Sequence, residues 1–207
     1  MKKLALISVL VVPAFGDSFL TSVTFYSSHE IGEMETPEQV VAEMGKYPDI
    51  MHHMAVLQAA YFLDLNGIVG GSKVIDLLKA KKGTATGNFD LGFAMVMLEF
   101  DPDGLDYLGK ATSILNTPEA HLGYGLCIAQ IDAFAGDGAE NWDRQTDLKK
   151  QAINQLVQCL DMDELWASDY TGMTLLEAVD YMGYYEGYLD YPEWKKLMKF
   201  RENYDRE

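Results

Sequence analysis

Residues 89–134 read FDLGFAMVMLEFDPDGLDYLGKATSILNTPEAHLGYGLCIAQIDAF, and this stretch decides the predicted fold. It contains three runs that read as helices, over 89–100, 105–115 and 119–134. The turn sequences that separate them are Asp101-Pro102-Asp103-Gly104 and Asn116-Thr117-Pro118. Helices joined by such short connections lie antiparallel, side by side. The stretch therefore predicts a series of antiparallel helix pairs.

Helix boundaries of the same kind flank this stretch. Thr36-Pro37-Glu38-Gln39 is a capping box with proline at the first helical position, and Asn66-Gly67 ends a helix that begins near Asp49. The 11 methionines and only 6 prolines also favour helices. Further helices are predicted from Ser72 to Gly83, from Asp147 to Leu160, from a second capping box at Thr174 to about Tyr188, and from Asp190 to Tyr204. We expect an all-α chain, with 36–207 as one helical-repeat domain and 17–35 as an extended N-terminal arm.

The helix ends recur with a period. Acid-then-glycine stops lie at Asp64…Gly67, Asp101…Gly104 and Asp137-Gly138, so the glycines are 37 and 34 residues apart. The segment Leu91-Gly92-Phe93-Ala94 is echoed by Leu122-Gly123-Tyr124-Gly125. Small residues at these positions would let a second helix approach closely. Periods of this size are typical of stacked helix-turn-helix repeats.

The third unit, residues 118–163, resembles a tetratricopeptide repeat. Ala120 to Leu126 is similar to the first helix of that family, and Gln151 to Asp163 is similar to the second. Ala152 and Leu156 match the small and large packing positions, and Cys159 occupies a small-residue position. The sequence departs from the family in having Glu164 where a proline is expected and a longer loop between the helices.

The resemblance implies a right-handed solenoid of stacked helix pairs, for which a compact helical array is the alternative. In that family, the first helices line a concave face that binds a peptide or protein segment, and such repeats are usually adaptors. The resemblance therefore implies a non-catalytic interaction module.

The N-terminus has the composition of a secretory signal peptide. Lys2 and Lys3 precede an apolar run over residues 4–12, and Ala14-Phe15-Gly16 places small residues at the −3 and −1 positions of a cleavage site. We expect residues 1–16 to be removed and the protein to be periplasmic or secreted. The alternative is a retained segment and a cytoplasmic protein.

The net charge of −16, from 16 basic and 32 acidic residues, favours basic partners or cations. It argues against nucleic acid and against anionic lipid as partners. The expected partner is therefore a protein or peptide. In an exported chain, Cys127 and Cys159 could form one disulfide, and a reduced, buried pair fits the sequence equally.

No sequence motif supports catalysis, a metal or a cofactor. His52 and His53 point about 100° apart on a helix, so they cannot grip one ion together. The acid-rich turns lack the ligand spacing of an EF-hand. Gly104 to Lys110 fits a phosphate loop, but Ala111 replaces its hydroxyl residue and no strand precedes it. We therefore expect no enzyme activity, no metal site and no cofactor.

Aromatic residues are the remaining candidates for a binding surface. They are concentrated near the C-terminus, and the predicted partner contacts are Trp142, Tyr184, Tyr188 and Trp194. Two other functions stay open. Acids near these aromatics, such as Glu177, Asp180 and Glu186, permit a carbohydrate-active enzyme or binder, which would need a facing carboxylate pair. The acidic charge also fits a small secreted inhibitor or immunity-type protein.

Overall fold

The computed structural model describes residues 19–135, 147–162, 170–182 and 191–204. Within these ranges the chain folds into ten helices and contains no strand. The helices are α1 (Phe19–Ser22), α2 (Pro37–Met44), α3 (Ile50–Leu65), α4 (Gly71–Lys79), α5 (Ala85–Glu99), α6 (Gly104–Leu115), α7 (Pro118–Ala135), α8 (Asp147–Met162), α9 (Tyr170–Met182) and α10 (Pro192–Tyr204). The predicted all-α class with packed helix pairs is confirmed.

Most helix starts follow the capping signals in the sequence. Thr36 and Gln39 form the reciprocal capping box predicted at the start of α2. The predicted box at Thr174 is wrong, because α9 already begins at Tyr170. The Thr174 hydroxyl instead donates to the carbonyl of Thr24, 3.0 Å away, and accepts from the amide of Tyr26. This side chain therefore holds the N-terminal segment and does not cap a helix.

Three helices form the centre of the molecule. Residues 50–58 of α3, 89–98 of α5 and 120–132 of α7 are buried, apart from Tyr124. Because each stretch covers more than two helical turns, these helices are buried on every side. The outer helices α4, α6 and α8 each bury one apolar face, as expected for amphipathic surface helices. The described helices therefore form a compact array with three of them inside.

Glycines set the closest helix contacts, within the α5–α6 and α7–α8 pairs. A Cβ atom on Gly92 would lie 2.6 Å from the carbonyl oxygen of Gly104, so α5 and α6 touch backbone to backbone. A Cβ atom on Gly125 would lie 3.1 Å from the carbonyl oxygen of Ala152. Both glycines belong to the repeated segments that the sequence singles out for close helix approach.

The N-terminal segment is built into the core. Leu20, Val23 and Phe25 are buried, although only α1 is helical in this part of the chain. The side-chain amide of Gln58 donates to the carbonyls of Leu20 and Val23, at 3.0 and 2.6 Å, and its oxygen accepts from the amide of Phe25. These bonds satisfy backbone groups that no regular structure would pair. Among the described helices, none is long and apolar enough to cross a bilayer.

Candidate functional site

Two features of the described chain offer chemistry or a surface. The first, here called the histidine cluster, consists of His29, His52 and His53 with Tyr47 and Asp90. The second, here called the end face, consists of Tyr61, Phe62, Leu65, Ile68 and Phe100. The histidine cluster joins the N-terminal segment to α3, and the end face lies where α3 and α5 end.

His53 lies between two hydrogen-bond acceptors. Its Nδ1 is 2.8 Å from Asp90 Oδ1, and its Nε2 is 2.8 Å from the carbonyl oxygen of Tyr47. A ring that carries a proton on both nitrogens can donate to both the carboxylate and the carbonyl, so this environment favours the imidazolium form of His53. Burial alone would lower the pKa of His53, but the hydrogen bond and charge of Asp90 outweigh burial and raise it.

The neighbouring His52 has the opposite electrostatic environment. Its ring is fully buried, with Nε2 3.3 Å from the carbonyl of Glu43 and Nδ1 3.2 Å from Ser27 Oγ. A neutral ring satisfies both contacts, with Nε2–H donating and Nδ1 accepting from the serine hydroxyl. Burial lowers the pKa of His52, and the charges of His53 and His29 lower it further.

His29 completes the cluster from the N-terminal segment. Its ring stacks on Tyr47 with centroids 3.7 Å apart and planes 2° apart, and its Nε2 lies 3.9 Å from Asp49 Oδ2. The backbone amide of His29 donates to Ser27 Oγ, which therefore already has two partners. The described residues contain no group of three or more ligands that could hold a metal ion. The cluster therefore connects α3 to α5 through His53 and Asp90, and connects the N-terminal segment to α3 through Ser27 and His52.

The end face is apolar and open to solvent. From Tyr61 to Ile68 no residue is buried, although five of these eight residues are Tyr, Phe, Leu or Ile. The exposed fraction is 58% for Leu65 and 51% for Ile68. The ring of Tyr61 meets Phe62 and Phe100 edge-on, with centroids 5.7 and 6.3 Å apart. Tyr61, Phe62 and Phe100 therefore form one aromatic group, and Leu65 follows Tyr61 one helical turn later on α3.

The backbone around the end face is fixed by specific contacts. Asp64 Oδ1 accepts from the amide of Gly71, 3.0 Å away, at the first residue of α4. Phe100 ends α5 in the left-handed conformation, with φ of 55°, which is uncommon for a bulky residue. Burial and the charge of Asp64 raise the pKa of Tyr61, so its hydroxyl stays neutral at physiological pH.

The sequence-predicted contact residues lie elsewhere. Trp142, Tyr184 and Tyr188 are outside the described residues. Trp194 is 2% exposed in the first turn of α10, so its indole belongs to the core and offers no surface to a partner. The sequence does not mark the end face, because Tyr61 continues the apolar side of α3 at helical spacing. The available signal was two large apolar residues, Leu65 and Ile68, on either side of the Asn66-Gly67 stop.

The acids proposed for carbohydrate chemistry have structural partners where they are described. Glu177 accepts from the amide of Thr24 at 2.7 Å and from the hydroxyl of Tyr26. Asp180 pairs with Arg201. Glu186 is outside the described residues. Glu177 and Asp180 are therefore each engaged with a side chain or backbone group of another part of the chain.

Cys127 on α7 and Cys159 on α8 are buried, free thiols in this structure. Burial raises the pKa of both thiols far above the usual range, so neither thiol is a nucleophile at neutral pH.

No protein-family model, curated protein or solved structure matches this chain.

Proposed function

We propose that this chain is a non-catalytic binding protein that takes up an apolar segment of a protein or peptide partner on its end face. The observation that carries the proposal is the exposure of Leu65 and Ile68, at 58% and 51%, beside the partly exposed rings of Tyr61, Phe62 and Phe100. Contiguous apolar surface with a polar rim is typical of protein interaction sites.

The composition of the face supports this proposal. Aromatic residues contribute more to binding than their number suggests, because they bury large areas while losing little side-chain entropy. Tyr61 is held on one side by Phe100 and Phe62 and packs partly against the core. A face that is already ordered loses little conformational freedom when a partner binds.

The proposed surface differs from the one that the tetratricopeptide resemblance implies. In that family the first helices of the pairs line the concave face, and here α3, α5 and α7 are buried through most of their described length. What supports binding is instead the end of α3. The proposed function is still that of an adaptor, with its binding site at one end of the helical array and not in a groove.

Export remains part of the proposal, supported by Lys2, Lys3 and the apolar run over residues 4–12. The intact mass of the protein from the periplasmic or medium fraction tests it. A mass equal to that of a chain beginning at Asp17 supports a periplasmic or secreted protein. A full-length mass in the cytosol favours an intracellular one.

Selection from a random peptide library tests the binding function. The full chain serves as bait, and selected peptides are then titrated against Leu65→Ser/Ile68→Ser. The matched control is Ile114→Ser, which removes an apolar side chain that is 69% exposed on α6. We expect selected peptides to lose at least about tenfold in affinity for the double variant and to bind the control unchanged. Equal affinity for all three proteins would refute the proposal.

A further inference from the structure

The two stretches of chain that contain the end face are acidic. Residues 61–72 and 99–109 together contain five acids, Asp64, Glu99, Asp101, Asp103 and Asp106, and no Lys, Arg or His. Glu99 and Asp101 are the direct neighbours of Phe100, and Asp64 precedes Leu65. Every apolar residue of the face except Ile68 therefore lies within three positions of a carboxylate along the chain.

Three of these acids form no ion pair among the described residues, although Asp76 and, after it, Glu99 raise the pKa of Lys79, so one cation lies near Glu99. Glu99, Asp103 and Asp106 are exposed. Within the described part of the chain, none of the three forms a salt bridge. Asp64 and Asp101 serve the backbone instead, accepting from the amides of Gly71 and Asp103 at 3.0 Å. The two stretches of chain that contain the end face thus carry two acids bound to backbone amides and three exposed acids, and these five acids are here called the rim.

We infer that the end face binds a cationic amphipathic segment, in which large apolar side chains are flanked by lysine or arginine. This inference rests on the proposed binding function and specifies the chemistry of the partner. Apolar side chains of the segment would cover Leu65, Ile68 and the aromatic rings. Its cations would meet the open carboxylates of Glu99, Asp103 and Asp106, so that opposite charges face each other across the interface.

The same charges disfavour other occupants. A second copy of this chain would bring its own five acids against these five, within a molecule of net charge −16. An anionic membrane would repel the rim in the same way. A neutral apolar segment would fit the centre of the face and leave the rim unused.

Three labelled peptides test the inference by fluorescence anisotropy on the full chain. Each peptide has leucines at positions i, i+3, i+4 and i+7, and the other positions are lysine in the first, glutamine in the second and glutamate in the third. We expect the lysine peptide to bind about tenfold or more tightly than the glutamine peptide and the glutamate peptide not to bind. We also expect its affinity to fall by about tenfold between 50 and 300 mM salt, because exposed charges are screened.

Two sets of charge variants separate the rim from the overall charge. Glu99→Gln/Asp103→Asn/Asp106→Asn removes the open acids of the rim, and Glu30→Gln/Glu33→Gln/Glu35→Gln removes three exposed acids from the segment before α2. We expect the first to bind the lysine peptide about fivefold or more weakly and the second to match the unmodified chain within about twofold, because short-range charges dominate at physiological salt. An equal loss in both would overturn the inference.

The outcomes also separate the two proposals. If the lysine and glutamine peptides bind equally and both lose affinity for Leu65→Ser/Ile68→Ser, the binding function stands and the cationic partner is refuted. If no peptide distinguishes the double variant from the unmodified chain, both are refuted. Binding of the unmodified chain to vesicles of neutral phosphatidylcholine, lost in the double variant, would also overturn the inference in favour of a lipid surface.

Discussion

Replacing Asp90 with asparagine should remove the positive charge of His53 and change how stability depends on pH. In the native protein both ring nitrogens of His53 donate, one to Asp90 Oδ1 and one to the carbonyl of Tyr47, each at 2.8 Å. An asparagine amide can donate to Nδ1 while Nε2–H still donates to Tyr47. The variant therefore keeps both hydrogen bonds with a neutral ring and loses only the charge assistance.

The sign of the pH dependence follows from the raised pKa of His53. Above pH 6.5 the unfolded chain releases the proton of this residue, while the folded chain keeps it up to its higher folded pKa. The stabilisation is therefore complete below pH 6.5 and is lost as the pH rises through the folded pKa. The lowered pKa of His52 acts in the other direction, because its contribution is lost as the pH falls below 6.5.

The expected magnitude comes from the loss of a charge-assisted hydrogen bond in a buried site. We expect Asp90→Asn to lower the free energy of unfolding by about 2 kcal/mol at pH 6, and by less as the pH rises through the folded pKa of His53. Asp90→Ala leaves a buried imidazolium with one acceptor removed and should lower it by about 3 kcal/mol or more at pH 6. Urea unfolding at several pH values measures both effects. Asp103→Asn, at an exposed position, is the control.

A pH-independent loss in Asp90→Asn would refute this reasoning, because it would mean that His53 does not hold an extra proton in the folded state. Nitrogen-15 NMR of the histidine rings gives a second readout. At pH 6.5 the ring of His53 should be mostly protonated on both nitrogens and the ring of His52 mostly on one, because the pKa of His53 is raised and that of His52 is lowered. The reverse assignment would contradict the described hydrogen bonds.

Three further predictions concern packing, the N-terminal segment and the thiols. Gly92→Ala places a methyl group 2.6 Å from the carbonyl oxygen of Gly104, so the two helices must separate; thermal or urea unfolding should show a loss of about 2–3 kcal/mol, and an unchanged midpoint would contradict the close contact. Gln58→Leu removes the side-chain hydrogen bonds to three backbone groups of the N-terminal segment, so limited proteolysis of the variant should cut that segment before it cuts the helices. Equal resistance of the variant and the unmodified protein would count against the anchoring role of Gln58. Cys127 and Cys159 are buried free thiols, so a thiol reagent at pH 8 should leave both cysteines of the folded protein unmodified. In denaturant the same reagent should label both cysteines without a reductant. Rapid labelling of the folded protein would disprove their burial.

Local signals in the sequence predict much of this fold. The boundaries of α3, α6, α7 and α10 follow caps and turn residues that act within one helical turn. The sequence also predicts the close approach of neighbouring helices at Gly92 and Gly125, because small residues in apolar helices indicate contact with another backbone. The sequence predicts the start of α5 at Phe89, whereas the helix begins at Ala85 because the Thr84 hydroxyl accepts from the amide of Gly87 as its N-cap.

The candidate sites could not be predicted in the same way. The His53–Asp90 and Ser27–His52 contacts join residues 37 and 25 positions apart, and no local pattern marks such pairs. The role of Thr174 as an anchor also depends on Thr24, 150 residues earlier in the chain. Exposure of Leu65 depends on which helices pack around α3, so an apolar residue at helical spacing could not be assigned to core or surface from the sequence.

Mapping a bound peptide by NMR tests the central claim most directly. The lysine peptide is added to the isotope-labelled full chain, and amide chemical shifts are followed through the titration. Binding at the end face predicts saturable shifts concentrated over residues 61–68 and at Phe100, with little change around Ile114 on α6. Shifts concentrated elsewhere, or spread evenly over the acidic surface, would contradict a binding site at the end of α3.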